Sequence, residues 1–478
     1  MKKADNNTAL LNISKKSFVQ VTVLLLCLMV VAIAMTYFIP KGEFGTLADG
    51  STDYLDYKVR SDLGGISLIK GILAPFLVFA SGDGLTLIML SLFLFVISAS
   101  FQVMNDAGGV RSLVGAVSER FKNHRRALLV IISFLFYCFG SFLGLFEEML
   151  TMLPIVTILC VLSGYDSFTG FLCCIISCAF GFAGAITNPF TVLLASEIIG
   201  ANPMVHIWFR IVIFIVMFGL LMAFIALYVR RLEKDPSSSL TAQRDEAIRR
   251  SNTATDEQTK DPEKEKRLKV TYLVFLTVAL ALIIISSTSA ALRSYTVVIL
   301  IAYFLIFGLL AGTIATRDFP FVIRSFGKGF ISAAPTIVFI ALAASIKYIF
   351  DEGSVMPTIV HQINVLIEGR SPILIALSIY LIVLLLEFFI SSSTAKAILV
   401  MGLLAMLNTG LSKQMLVLLY TFADGYTNAI FPTSPVLLIS LSMIGVDYFK
   451  WVKKSAPLFA ANVVLVIAFI ILGVVIGY

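Results

Sequence analysis

Charge is what this chain most lacks. Lys, Arg, Asp and Glu together make 14% of its 478 residues while 59% are hydrophobic, which argues against a soluble domain, where about a quarter of residues are charged. Histidine is scarce as well: His124, His206 and His361 stand far apart in polar or boundary stretches, make no metal-ligand pattern and give a zinc or haem role no support. The six cysteines (Cys27, Cys138, Cys160, Cys173, Cys174 and Cys178) all fall in apolar segments, so they read as small core residues rather than a disulfide framework. No nucleophile stands with a base, which leaves a membrane-embedded enzyme without machinery. The N-terminus has no small-residue cleavage site, so its first apolar run is expected to remain as an uncleaved anchor. The formal charge of +7 resides in loops and implies no nucleic-acid partner.

What the chain has is apolar length. Runs near 19–39, 85–104, 209–229, 270–288, 296–314, 332–350 and 458–477 each reach the roughly 20 residues a spanning helix needs. Between them lie two long apolar tracts, 127–200 and 372–444, which Gly, Ser, Asn and Pro interrupt so often that hydropathy cannot divide them.

Those tracts share a pattern. "AITNPFTVLL" at 185–194 recurs as "AIFPTSPVLL" at 429–438, an offset of 244 residues, and within a few residues the same offset aligns "VMNDAGGVRSLV" at 103 with "YIFDEGSVMPTIV" at 348, and "VTVLLL" at 21 with "VTYLVF" at 270. A common offset over such a length marks an internal repeat. The loop after 85–104 carries Arg111, Arg120, Lys122, Arg125 and Arg126 and is expected inside, which puts the N-terminus inside too. Its counterpart, 351–371, holds Arg370 against Asp351, Glu352 and Glu368 and is expected outside. An additional span, 296–314, produces the inversion. Inverted repeats are the mark of secondary transporters. The expected organisation is a first repeat at 1–230, a charged cytoplasmic linker at 231–269 read as a solvated tether, and a second repeat at 270–478. Residues 41–65 read as an outside loop, and 66–80 as an arm along the interface.

Each ambiguous tract accommodates one re-entrant hairpin and one broken span: 127–163 with 167–200, and 372–409 with 412–444. The expected fold is thus an all-α polytopic membrane protein with about nine transmembrane helices, the seven plain runs and the two broken ones, plus two hairpins. Non-helical backbone at membrane depth is tolerated only where protein buries it or it lines a wet cavity. Pro189, Pro432 and Pro435 free carbonyls there, which with Thr187, Asn188, Thr191, Thr427, Asn428, Thr433 and Ser434 offer oxygen ligands for a polar solute, or for Na+ near Asn188 and Asn428. Any one of these side chains is ordinarily glue between helices, but two symmetric clusters beside two hairpin tips point to a site. At the tips stand Glu147 and Glu148 in the first half and Ser391, Ser392, Ser393 and Thr394 in the second. Carboxylates in a membrane segment are functional candidates, although a helix's first turn also favours them. Asp424 shares a helical face with Asn428, while its repeat partner is Phe180, and Lys396 either pairs with a carboxylate or snorkels outward.

"GLFEEM", "ITNPFTVLLASEIIG", "ISSSTAKAI" and "TNAIFPTSPVLLISL" resemble the signature segments of YfcC/DcuC-type carriers of the ion-transporter superfamily. The second tip departs from the pattern, with Thr and Ala where a glycine-containing serine run is expected. The resemblance implies an elevator-type carrier in a bacterial cytoplasmic membrane, a homodimer among lipids, with no organic cofactor and with Na+ or H+ as coupling ion. For substrate it leaves C4-dicarboxylates and basic amino acids open. Glu147, Glu148 and Asp424 would repel a dicarboxylate, each contact being worth about 4 kcal/mol at about 4 Å and an effective dielectric near 20, and would hold a cation. The expected function is exchange of a basic amino acid such as arginine or ornithine; the alternative is ion-coupled dicarboxylate carriage, and a channel is a distant third.

Overall fold

Away from water a backbone must satisfy its own amides, so the apolar runs fold as helices. The computed structural model describes residues 15–46, 52–82, 84–121, 123–256, 262–288, 291–292, 295–367, 369–390, 393–407 and 409–478. After α1 (Lys15–Phe38) come β1 (Gly42–Thr46), β2 (Thr52–Val59), α2 (Leu68–Leu77), α3 (Gly84–Asp106) and α4 (Gly109–Arg120). Next, α5 (Arg125–Cys138) runs into a π-helical stretch, Phe139–Leu143, and after a short turn α6 (Met149–Leu162) returns. α7 (Ser167–Phe171) continues through a π stretch, Leu172–Ile176, into α8 (Ser177–Ala183), where the helix stops; it resumes as a π turn, Pro189–Leu193, leading into α9 (Leu194–Ile199). α10 (Ile207–Lys234), α11 (Ala242–Asp256), α12 (Pro262–Thr288), α13 (Thr296–Thr316), α14 (Phe319–Ser332), α15 (Ala334–Glu352) and α16 (Met356–Ile367) follow. A second helix–turn–helix, α17 (Pro372–Phe389) and α18 (Ser393–Met406), precedes a second interrupted pair, α19 (Lys413–Gly425) and α20 (Pro435–Ile444), and α21 (Tyr448–Val475) closes the described chain.

Nine helical runs among the described residues are long and apolar enough to cross a membrane. The number matches the sequence expectation but two members differ. Seven are the plain spans; the other two are Arg125–Leu143 and Pro372–Phe389, the first arms of the two helix–turn–helix units, not the broken segments. The reason is local: Pro189, Pro432 and Pro435 cut the broken segments into helices of 17 residues or fewer, whereas nothing interrupts the first arms.

Burial arranges the elements around these breaks. Every residue from Ser167 to Ala183 and from Met415 to Gly425 is buried, while the apolar windows of α1, α10 and α12 are only 33%, 33% and 28% buried. The broken helices are therefore the centre, and long spans surround them. At one flank α3 packs on α13 and α14, and α1 on α15.

Two polar segments differ from expectation. Residues 41–65 are not a plain loop: β1 and β2 pair antiparallel with an irregularity at Phe44/Gly45, so the fold is not wholly α. Tertiary contact fixes the ribbon, since Tyr57 stacks on His361 with centroids 4.0 Å apart and shares a 2.8 Å hydrogen bond with Thr358. The 231–269 linker is not a solvated tether. Its helix α11 docks on the turn between α6 and α7: the buried Asp245 accepts from the Ser167 hydroxyl and, at 3.1 Å, the Ser167 amide, and Arg249 donates to the Tyr165 carbonyl at 2.7 Å. Asp166 in turn accepts from Tyr228 at 2.6 Å and Ser239 at 2.7 Å. Mixed charge without periodicity looks disordered in a sequence, but here Ser239, Asp245 and Arg249 find polar partners in the turn. Burial pushes the Asp245 carboxyl above its ordinary range, against the lowering effect of Ser167 and Thr241.

Candidate functional site

The first break is held by the turn of the first helical hairpin. A proline has no amide hydrogen, so Pro189 deprives Ala185, four residues earlier, of its helical donor. The chain around it is satisfied otherwise: Ser141 donates to the Gly184 carbonyl at 3.0 Å, and the Ser141 carbonyl accepts from the amides of Ile186 at 3.2 Å and Thr187 at 3.3 Å. Asn188 is the N-cap of the resumed helix. Its oxygen accepts from the amides of Phe190 at 2.9 Å and Thr191 at 3.3 Å, and its amide donates to the Gly140 carbonyl at 2.9 Å. That use leaves the oxygen no further lone pair for a cation.

The second break is built by the same rules. α19 tightens into a 3-10 turn, Tyr426–Ala429, and Ser434 caps α20 by accepting from the Leu437 amide at 3.4 Å. Thr427 donates back to the Ala423 carbonyl and Asn428 to the Asp424 carbonyl. The residues that open the two repeated decapeptides are then treated alike. Arg210 on α10 donates to the Ala185 carbonyl at 3.2 Å, and Trp451 on α21 donates to the Ala429 carbonyl at 2.8 Å. In each half the long helix that follows a break supplies a donor to the freed carbonyl.

The two breaks touch. A Cβ added to Gly425 would lie 2.2 Å from the Ala183 nitrogen, and one on Gly181 would lie 2.1 Å from the Tyr137 carbonyl oxygen, so backbone meets backbone at both crossings. Around this junction Thr187 and Asn428 are half-buried and Thr433 is buried, while the Thr191 hydroxyl is buried without a hydrogen-bond partner among the described residues.

Charge is distributed unevenly between the tips. In the first, Glu147 is exposed; Glu148 is buried, with one carboxylate oxygen that has no hydrogen-bond partner among the described residues. Glu147 is near enough to Asp424 for their charges to interact. In the second tip Ser391 and Ser392 lie outside the described residues, as does the side chain of Thr394. Ser393 donates to Asp424 at 2.9 Å, and its carbonyl accepts from Tyr420. Lys396 does not snorkel: its ammonium is buried between Asp424, at 2.6 Å, and Glu387. Glu387 is 2% exposed and Lys396 and Asp424 are 0% exposed, so all three charges are shielded from solvent and must compensate one another.

Two of these residues escaped the sequence reading. Glu387 is the single charged residue between Pro372 and Ile390, and Arg210 the single one between Ile207 and Val229. A solitary charge in an apolar run was the available signal for both. Among the described residues no group of three or more His, Cys, Asp and Glu is placed to hold a metal ion, and the six cysteines are unpaired.

A model of the C4-dicarboxylate anaerobic carrier family matches residues 18–475. The chain belongs to that family. It is a multi-pass membrane transporter and not an enzyme. One relative is YfcC of Escherichia coli (strain K12), a provisionally named basic amino acid antiporter, 26% identical over 386 residues that cover 78% of this chain and 75% of that one. An uncharacterised Haemophilus influenzae protein is 22% identical over 369 residues, covering 77% and 71%. Among solved structures, the YdaH transporter of Alcanivorax borkumensis and MtrF of Neisseria gonorrhoeae, from a class of antimetabolite efflux pumps, each align at a TM-score of 0.43 and 15% identity. They cover 96% and 94% of this chain, and 99% and 94% of their own.

Proposed function

We propose that this member of the carrier family exchanges a basic amino acid, such as arginine or ornithine, across a bacterial cytoplasmic membrane. The observation that carries the reading is the charge at the junction. Lys396 is already committed to Glu387 and Asp424, so that network keeps a net charge of one minus, and Glu148 adds a buried carboxylate with an oxygen that no described residue hydrogen-bonds. A guanidinium or ammonium supplies donors and positive charge there; a dicarboxylate supplies neither. The name of the Escherichia coli relative agrees with this substrate class. The Thr191 hydroxyl, which has no hydrogen-bond partner among the described residues, and Thr187, Thr433 and Asn428 are the polar groups we assign to the rest of the solute.

The same reading takes the two helix–turn–helix units as re-entrant hairpins, the halves as inverted repeats, and the movement as an elevator in which tips and breaks travel together with their solute. Its support is the recurrence of the element order and of the donor to Ala185 and Ala429. We also propose that the N-terminus lies in the cytoplasm, on the charge of the 105–126 loop, and, on the family resemblance alone, that the carrier is a homodimer. One observation favours the alternative, an ion-coupled dicarboxylate carrier: Arg210, 3% exposed, lies at the first break and offers a guanidinium.

Uptake of labelled arginine and of labelled succinate, each into proteoliposomes preloaded with the unlabelled solute, separates the two. The expected result is arginine counterflow, reduced about tenfold or more by Glu148→Gln, about 1.4 kcal/mol of lost stabilisation. Succinate counterflow with no arginine counterflow refutes the basic amino acid reading.

A further inference from the structure

The cation in the second tip is covalently attached to the chain. Lys396 reaches Glu387 from α17 and Asp424 from α19, with the Ile390 carbonyl at 3.4 Å and the Ser393 hydroxyl on the other Asp424 oxygen. Carboxylates, a main-chain carbonyl and a hydroxyl at a helix end are the ligand types that a small hard monovalent cation takes. The architecture does not require them. At the repeat offset of 244 residues, Leu143, Met152 and Phe180 stand where Glu387, Lys396 and Asp424 stand, and the first half builds its hairpin and its break without any charge at those places. The triad is an addition to one half, and it closes three helices around an ammonium.

We propose that Lys396 is a tethered coupling cation: its ammonium permanently fills a cation position formed by Glu387 and Asp424, so the carrier draws no free Na+ into the second tip, and removal of the side chain converts that position into a binding site for a free monovalent cation. The proposal rests on family membership and on this geometry, not on the identity of the solute, so it is tested without a transport substrate. Whatever binds the folded state and not the unfolded one raises the unfolding temperature.

Purified full-length protein in detergent is heated in choline chloride, sodium chloride or methylammonium chloride, each at about 200 mM. Wild-type protein is expected to unfold at one temperature in all three. Lys396→Ala is expected to unfold earlier in choline and to recover by about 3 °C or more in Na+ or methylammonium. The double variant Glu387→Gln with Lys396→Ala retains the net charge of the native triad, which protects its folding, and with one carboxylate left gains a smaller response of the same sign; adding Asp424→Asn abolishes it. A double variant indifferent to Na+ and methylammonium overturns the proposal. So does a wild-type protein stabilised by Na+ over choline, with the gain lost in Glu387→Gln.

Discussion

The crossing of the two breaks makes a quantitative demand on one residue. Gly425 ends α19 with an ordinary φ of −67°, so alanine there meets no backbone strain and the whole effect of Gly425→Ala is steric. Its Cβ would fall 2.2 Å from the Ala183 nitrogen and 2.4 Å from the Ala183 Cα, atoms of a buried backbone that cannot rotate away. Carbon–nitrogen contact needs about 3.4 Å, so the two broken helices must separate by about 1 Å, and overpacking of this kind costs about 1–3 kcal/mol, occasionally more. Gly219→Ala is the matched control: Gly219 is also helical, and a Cβ there meets nothing within 4 Å, so alanine is neutral or stabilising by up to about 1 kcal/mol. Thermal unfolding in detergent and counterflow in proteoliposomes are measured on both. Gly425→Ala is expected to unfold several degrees earlier than wild type and to lose most counterflow, because the same separation misplaces Asn428, Thr433 and Asp424 against the first tip. Equal unfolding temperatures and equal counterflow for the two variants would falsify the contact between the breaks.

Other outcomes follow from single contacts. Trp451→Phe removes the indole donor to Ala429 and leaves a buried carbonyl unpaired, at a cost of about 1–3 kcal/mol in unfolding; Arg210→Met, which does the same to Ala185, is expected to destabilise by a similar amount, and indifference in both would mean that the carbonyls find other donors. Asp245→Lys is expected to release α11 from the 165–167 turn, read as faster hydrogen exchange over 242–256, whereas Asp245→Asn keeps the shape and exchanges nearly as slowly. The pH dependence of that dock has a definite sign. Burial raises the Asp245 carboxyl, so its ionised form is penalised in the folded state, and the penalty fades as pH falls from neutrality through the raised value toward the ordinary carboxylate range. Exchange over 242–256 is expected to slow on mild acidification, beyond its intrinsic chemical slowing, and this extra slowing disappears in Asp245→Asn.

Much of the centre was legible in the sequence because a membrane makes local exceptions conspicuous. Pro189 and Pro435 with their polar neighbours stand out in an apolar tract, and each opens the helix that resumes after a break. What was hidden depends on partners far along the chain. Glu387 is one polar residue in an apolar run, and only folding shows that Lys396 and Asp424 enclose its charge. The linker failed for the opposite reason: its residues signal solvent, yet Asp245 and Arg249 are spent on a turn some 80 residues earlier, a pairing that no periodicity encodes. The span count shows a third limit, since hydropathy rewards uninterrupted length and so selects first hairpin arms over the broken helices they serve.

The two halves agree in how they hold backbone and differ in how they hold charge, and the difference has a mechanical consequence. Both breaks are capped, by Asn188 and Ser434, and both freed alanine carbonyls receive a donor from the next long helix; these devices fix the backbone at the breaks and demand no particular solute. The charges obey no repeat. An uncompensated charge moved through the low-dielectric interior costs several kcal/mol, so a carrier with bare carboxylates at both tips would be held in place whenever it was empty. Lys396 compensates one such charge and leaves Glu147 and Glu148 at the first tip, where the proposed basic amino acid would complete the neutralisation. If the solute is the basic amino acid proposed above, loading and unloading it would decide whether the site is free to change sides, and that condition would make transport an exchange rather than a leak.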